Sequence, residues 1–160
     1  LIGFKSVIKS ILFICLGNIC RSPICHGLLE HYSKDYSRKI IVDSAGTIGM
    51  HAGSPPDHRS IEIMAHHGHN ISHQRSRKFH HYDFYEFDII LAMDSSNFRD
   101  LNSLAKNEEE KGKIHMVIEG TSVPDPYFGG DEGFENVYQM LDKAVLDWLN
   151  LLAGKHLFES

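Results

Sequence analysis

Short, continuous apolar segments alternate along the chain with longer segments in which apolar residues recur every three or four positions. The apolar segments predict four strands, at residues 10–15, 39–44, 87–93 and 114–118. The periodic segments predict four helices, which begin near residues 22, 57, 94 and 134. Strands that alternate with helices are typical of a parallel sheet with both faces covered. We therefore expect an α/β fold, a doubly wound four-stranded parallel sheet.

Boundary residues refine these helices. Ser22 followed by Pro23 predicts the N-cap and the first position of the first helix. Gly68 and Gly154 are expected to end the second and the last helix. The charged run at residues 108–113 is interpreted as a solvated turn.

Composition places the chain among ordinary globular proteins. Its 160 residues suit one domain over residues 1–160, in which residues 1–8 are expected to be flexible or not native. No apolar run approaches the roughly 20 residues of a membrane helix, so we expect no membrane span and a cytoplasmic location. The formal charge of -5 and the scattered basic residues differ from the basic surface of nucleic-acid binders, so no nucleic-acid partner is expected.

Twelve histidines raise the question of a metal site. No cysteine or carboxylate lies at zinc-ligand spacing from them, so a solvated histidine-rich surface is the preferred interpretation and no metal is expected. All three cysteines, Cys15, Cys20 and Cys25, lie within eleven residues. An odd number in so short a segment does not indicate a secreted disulfide framework.

The segment after the first strand carries the most informative chemistry. Cys15 closes the strand, a loop containing Gly17 and Asn18 follows, and Arg21 comes just before the predicted helix. Backbone N–H groups of such a turn favour an anion, and Gly17 and Asn18 tolerate the positive φ that a curled loop needs. Arg21 can donate two hydrogen bonds to phosphate oxygens, and a cysteine in this field is expected to be a thiolate. The segment predicts a nucleophile that faces an anion-binding loop.

The spacing C-x5-R-S is typical of cysteine-dependent phosphatases. The longer string ICLGNICRSP, at residues 14–23, resembles the low-molecular-weight protein tyrosine phosphatase family. The resemblance extends over nearly the whole chain, through VDSAGT (42–47), SPPDHRS (54–60), AMDSSNFRDL (92–101) and VPDPYFGG (123–130).

This resemblance implies a role for each catalytic residue. Cys15 would attack phosphorus, and Arg21 would bind the phosphoryl oxygens and stabilise the transition state. Asp125 would protonate the leaving phenol oxygen and then act as the base for the hydrolytic water. No cofactor is implied, because Arg21 and the loop amides supply the positive field.

The resemblance also implies binding and supporting groups. The residues expected to bind phosphate are Leu16, Gly17, Asn18, Ile19, Cys20, Arg21 and Ser22. Ser22 would hydrogen-bond the Cys15 sulfur, and Asn18 would join Ser44 and His73 in a network that holds the loop. Asp94 is expected near the site because it follows a strand. The residues expected to line the substrate pocket are Met50, His51, Tyr127 and Phe128. Cys15 and Cys20 are expected to form a reversible disulfide under oxidation.

Two positions depart from the family. Many animal members carry two adjacent tyrosines after Asp-Pro, and Tyr127-Phe128 lacks the second, which puts that phosphorylation in doubt. Several members have an aromatic rim residue near Met50 and His51, so an altered substrate preference is expected here.

The implied partners are phosphotyrosine proteins or peptides, with inorganic phosphate as product and inhibitor, and the chain is expected to be monomeric. Three alternatives remain. An arsenate reductase of the same fold would need further cysteines, and none follows Cys25. A phosphocarrier would not need Arg21 together with Asp125, and an inactive phosphotyrosine-binding module would not need the intact set.

Overall fold

A computed structural model describes residues 7–36 and 38–159, with side chains described up to residue 153. The expectation for the first eight residues lies largely outside this part. Four strands form one parallel sheet: β1 (Ser10–Cys15), β2 (Ile41–Gly46), β3 (Ile89–Ala92) and β4 (Ile114–Met116). The strand order β2-β1-β3-β4 confirms the predicted doubly wound sheet. The chain changes direction beside β1, and ligands bind such sheets at that point, beyond the carboxyl ends of the strands.

Six helices accompany the sheet in the described residues: α1 (Arg21–Tyr32), α2 (His58–His66), α3 (Asp83–Glu86), α4 (Ser95–Leu104), α5 (Glu108–Gly112) and α6 (Asp131–Glu159). Successive β1 side chains enter opposite cores, because side chains of a strand alternate between its faces. Ile11 and Phe13 pack with α1, α2 and α6, whereas Leu12 and Ile14 pack with α3 and α4. No helix of the described chain is both long and apolar enough to cross a membrane.

Several predicted boundaries are wrong. Strand β2 begins at Ile41, two residues later than predicted, because its register starts where Ile41 pairs with Ser10. Strands β3 and β4 are shorter than predicted, since their pairing covers only three or four residues. The backbone of α6 continues through Gly154 to Glu159, and glycine inside a helix costs only about 1 kcal/mol.

Two helix starts also differ. Helix α1 begins at Arg21 with Cys20 as the N-cap, so Ser22 lies inside the first turn and its hydroxyl is used elsewhere. The charged run predicted as a turn contains α5, whose N-cap Asn107 accepts a hydrogen bond from the N–H of Glu110. Gly68 has φ 89° directly after α2, so its predicted role as a helix stop is confirmed.

Candidate active site

The sulfur of Cys15 lies at the carboxyl end of β1, where only 2% of the residue is exposed. Its Sγ is 3.0 Å from Oγ of Ser22, a fully buried residue in the first turn of α1. Asn18 Nδ2 donates to the same Oγ at 2.8 Å. Because the hydroxyl oxygen already accepts from Asn18, its hydrogen is available to the sulfur. The Ser22 hydroxyl can therefore stabilise negative charge on Sγ.

The loop between Cys15 and α1 owes its curvature to Asn18. This residue has φ 57°, in the left-handed region that asparagine tolerates better than most residues. Its Oδ1 accepts a hydrogen bond from the N–H of Arg77 at 3.0 Å, and the Arg77 guanidinium forms a fork with both oxygens of Asp83. Arg77 also donates to Asp43 at 3.1 Å. The loop conformation is thus fixed by residues far away in sequence.

Two glycines allow close approach, and neither has positive φ, which corrects the expectation for Gly17. A Cβ on Gly17 would lie 3.0 Å from the ring of His51. A Cβ on Gly46 would lie 2.7 Å from the carbonyl oxygen of Leu16. Backbone hydrogen bonds from residues 47 and 48 to Cys15 and Leu16 hold the end of β2 against the loop. Glycine at these positions keeps the loop packed tightly on its neighbours.

The guanidinium of Arg21 is buried behind the loop, with 2% of the side chain exposed. Its Nη1 donates to Asp94 Oδ2 at 2.7 Å and to the Val123 carbonyl at 2.9 Å. Burial disfavours its charge, but the electrostatic attraction of Cys15, Asp94 and Asp125 outweighs burial, and the pKa of Arg21 is raised. Its buried Nε has no hydrogen-bond acceptor in the described part of the protein. This fixed cation retains a donor that suits an anion.

Asp125 lies beside the guanidinium of Arg21. Its Oδ2 is 3.6 Å from Nη2 of Arg21, and its Oδ1 accepts from the N–H of Tyr127 at 3.1 Å. The side chain is 36% exposed, so it can meet both a substrate and water. The structure therefore brings Cys15, Arg21 and Asp125 to one cavity of about 250 Å³.

The rim of this cavity is mainly apolar. Met50 and Phe128 are 78% and 93% exposed. The centroids of the His51 and Tyr127 rings are 6.2 Å apart. An aromatic group that enters the cavity would contact these side chains. All four residues predicted for the substrate pocket line the cavity.

The predicted supporting residues occupy different places. Asp94 caps α4 by accepting a hydrogen bond from the N–H of Asn97 at 2.8 Å, and its other carboxylate oxygen contacts Arg21. Ser44 lies inside β2 and its Oγ is 3.1 Å from His26 Nδ1, while His26 Nε2 is 3.0 Å from Glu30. Neither Ser44 nor His73 forms a hydrogen bond to the loop in the described residues.

His73 is exposed, so the predicted network is not the one observed. The adjacent Gln74 is buried instead and donates from Nε2 to the carbonyl of Pro23 at 3.1 Å. The residues that complete the Asn18 network are Arg77 and Asp83, which the sequence reasoning missed. The segment HQRSRKFHH, at residues 73–81, is rich in basic residues, but its pattern does not indicate which side chain turns inward.

Known proteins are similar to this chain. The family model for low molecular weight phosphotyrosine protein phosphatase matches residues 10–157. The human low molecular weight phosphotyrosine protein phosphatase is 44% identical over 140 residues, which cover 82% of this chain and 87% of the human protein.

Solved structures of tyrosine phosphatases have a similar fold. The Entamoeba histolytica protein tyrosine phosphatase superposes with a TM-score of 0.84 at 36% identity and covers 92% of this chain and 99% of its own. The tyrosine phosphatase Wzb from Escherichia coli K30, solved in complex with sulphate, gives a TM-score of 0.81 at 34% identity and covers 91% and 99%.

The chain belongs to the low molecular weight phosphotyrosine protein phosphatase family. The three cysteines of this phosphatase have different surroundings. Burial, followed by the charges of Asp57 and Cys15, raises the pKa of Cys20 to about 12. Burial also raises the pKa of Cys25, which packs in the core between α1 and the sheet. The sulfur of Cys15 differs in that it lies within hydrogen-bond distance of the Ser22 hydroxyl and interacts electrostatically with the Arg21 guanidinium.

In the part of this phosphatase that the structure describes, no group of three or more His, Cys, Asp or Glu residues is arranged to hold a metal ion. Histidines in α1 and at the end of α2 contact aromatic rings and carboxylates. His67 stacks on Tyr138 at 3.8 Å, and its Nε2 is 3.3 Å from Glu135.

Proposed function

We propose that the protein hydrolyses phosphotyrosine and small aryl phosphates through a phosphocysteine intermediate on Cys15. The observation that carries this proposal is the shared cavity, in which a buried sulfur, a buried guanidinium and a partly exposed carboxylate meet. Family membership gives the reaction class, a cysteine-dependent hydrolysis of phosphoric monoesters.

The first step transfers the phosphoryl group to the protein. The Cys15 thiolate attacks phosphorus, so that an S–P bond forms while the bond from phosphorus to the phenol oxygen breaks. Asp125 donates its proton to that oxygen, which leaves as a phenol. Arg21 and the loop amides of residues 16–22 hold the three remaining oxygens and stabilise their charge.

The second step reverses these roles. Asp125, now a carboxylate, accepts a proton from a water molecule as that water attacks phosphorus. The S–P bond breaks, inorganic phosphate is released, and the thiolate returns to its hydrogen bond with Ser22. Splitting the transfer in two lets one cysteine serve as both nucleophile and leaving group.

The substrates are phosphotyrosine side chains of proteins or peptides, and phosphate acts as product and as competitive inhibitor. The apolar rim at Met50, Tyr127 and Phe128 supports an aromatic leaving group, because rings pack well against aromatic and methionine side chains. We propose that the protein works as a cytoplasmic monomer without a cofactor.

Oxidation is proposed to link Cys15 and Cys20, which line the same cavity. Peroxide would convert the Cys15 thiolate to a sulfenic acid, and the Cys20 sulfur would then displace water to form the disulfide. Because burial raises the pKa of Cys20, its thiolate is scarce at neutral pH and the link should form faster as the pH rises.

One assay tests the proposal against its alternatives. The protein should hydrolyse p-nitrophenyl phosphate in the presence of a chelator, be inhibited by vanadate, and lose activity in Cys15→Ser. An arsenate reductase would instead consume a thiol reductant with arsenate. An inactive binding module would bind a phosphotyrosine peptide without turnover, and a phosphocarrier would release phosphate to a sugar rather than to water. Full activity of Cys15→Ser would refute the mechanism.

A further inference from the structure

The stretch SPPDHRS, at residues 54–60, matches the family, yet the mechanism above assigns it no task. In the structure it lies between two parts of the active site, the phosphate-binding loop and the loop that carries Asp125. The N–H of Asp57 donates to the carbonyl of Ile19 at 2.8 Å. Ser60 Oγ donates to the carbonyl of Cys20 at 3.2 Å. The N-terminus of α2 is therefore fastened to the phosphate-binding loop.

Arg59 makes the second connection. Its Nη2 donates to the carbonyl of Tyr127 at 2.8 Å, and its Nη1 donates to the carbonyl of Gly129 at 3.0 Å. The same guanidinium lies over the ring of Phe134, 4.6 Å from its centroid. Two backbone carbonyls of the acid loop, defined as residues 125–130, are thus bound by one side chain from α2.

Arg59 is itself held rigidly by Asp57. Its Nε and Nη2 donate to the two oxygens of that carboxylate at 3.0 Å each, a bidentate pair. The hydrogen bond from Arg59 lowers the pKa of Asp57, and the pair raises the pKa of Arg59. Asp57 also caps α2 by accepting from the N–H of Arg59 at 2.9 Å. The guanidinium of Arg59 therefore has a fixed position relative to α2.

The backbone N–H and carbonyl of Tyr127 connect Arg59 to the acid. Its carbonyl accepts from Arg59, while its N–H donates to Oδ1 of Asp125 at 3.1 Å. A turn from Pro126 to Gly129, closed by a backbone hydrogen bond, keeps the carbonyls that Arg59 binds close to Asp125. A general acid must lie within hydrogen-bond distance of the atom that it protonates, so a small shift of this loop slows proton transfer.

We propose that Arg59 is a positioning residue for the general acid, which aligns the acid loop with the phosphate-binding loop. This inference rests on the proposed function of Asp125. Arg59 acts through backbone carbonyls and does not touch substrate. Lysine cannot replace it, because a single ammonium lacks the planar set of donors that reaches Asp57, Tyr127 and Gly129 together.

The test compares leaving groups. A weakly acidic phenol needs protonation as it leaves, whereas p-nitrophenol leaves readily as an anion. We therefore measure kcat/KM, which reports phosphoryl transfer to Cys15, for phenyl phosphate and p-nitrophenyl phosphate. The variants are Arg59→Gln, Arg59→Lys, Asp125→Asn and, as an arginine control exposed on α4, Arg99→Gln.

Both Arg59 variants should lose about 10-fold more kcat/KM with phenyl phosphate than with p-nitrophenyl phosphate, below the roughly 10²-fold that a 1 Å misplacement can cost. Asp125→Asn should show a larger ratio, within the about 10²–10⁴-fold range of general acid catalysis. Arg99→Gln should match the wild type. Inhibition by phosphate should change less than about 2-fold in the Arg59 variants, well below the about 10-fold effect expected on catalysis.

Two results would overturn the inference, and they differ in meaning. Equal losses for both substrates, or no loss, in the Arg59 variants would refute the positioning role if Asp125→Asn still discriminates. A flat response of Asp125→Asn would instead refute the proposed acid, and the positioning role with it. Thermal unfolding of each variant shows whether a uniform loss follows from lost structure.

Discussion

Ser22→Ala probes the hydroxyl that faces the catalytic sulfur. In the structure this oxygen is 3.0 Å from Cys15 Sγ and accepts from Asn18 at 2.8 Å, which leaves its hydrogen for the sulfur. A hydrogen bond to a charged group contributes about 1.5–3 kcal/mol. If that contribution is lost when the thiolate forms or leaves, the affected step slows by about 10–150-fold.

The step most affected should be hydrolysis of the intermediate, because there the sulfur departs and gains charge. We expect a fall in kcat with p-nitrophenyl phosphate that exceeds the fall in kcat/KM. Rapid mixing should then show a burst of nitrophenol that approaches one equivalent per site, and acid quenching should trap more phosphorylated protein than in the wild type.

The matched control is Ser10→Ala. Ser10 is a buried serine at the start of β1, the strand that ends at Cys15, and its Oγ donates to the carbonyl of Glu86 at 3.2 Å. Its replacement should leave the burst and kcat near wild-type values. A wild-type kcat in Ser22→Ala would refute the assigned hydroxyl, and an equal loss in Ser10→Ala would attribute the effect to general destabilisation.

Three further outcomes are expected. Met50→Trp should change the relative kcat/KM among phosphotyrosine peptides, and an unchanged ranking would remove Met50 from specificity. The pKa of Asp57 lies below its ordinary 3.8, so its contribution to stability is present above that pH and is lost as the pH falls through the folded value. Asp57→Asn, which can still cap α2, should therefore unfold at a lower urea concentration at pH 7, and its stability should fall less than that of the wild type as the pH is lowered. If the stabilities of variant and wild type fall in parallel, the ion pair between Asp57 and Arg59 does not contribute as described. After peroxide, wild type should recover under reductant with a Cys15–Cys20 link, and equal recovery of Cys20→Ser would exclude protection.

The parts of the fold that depend on local sequence were predictable. Strand β1 coincides with the apolar run that ends at Cys15, and the phosphate-binding loop starts directly after it. The limits of β2 were not, because its pairing with β1 decides that residues 45 and 46 belong to the strand. Helix α5 had a usable signal that was overlooked, an asparagine cap followed by three glutamates in the first turn.

The site divides in the same way. Cys15, Arg21 and Asp125 lie in motifs, and a parallel sheet gathers strand ends at one edge, so their meeting could be expected. His73 was misassigned because the irregular segment after Gly68 has no period that tells which side chain faces inward. The buried residue is Gln74. Arg59 and Arg77 act through contacts with residues tens of positions away, which no local pattern reveals.

The central claim is that phosphate passes through Cys15. The most direct measurement is acid quenching of wild type and Ser22→Ala during turnover of p-nitrophenyl phosphate, followed by mass spectrometry of the peptide that contains residues 15–22. The account predicts a phosphoryl group on Cys15 that accumulates in Ser22→Ala and is absent in Cys15→Ser. A phosphoryl group on another residue, or full turnover by Cys15→Ser, would contradict it.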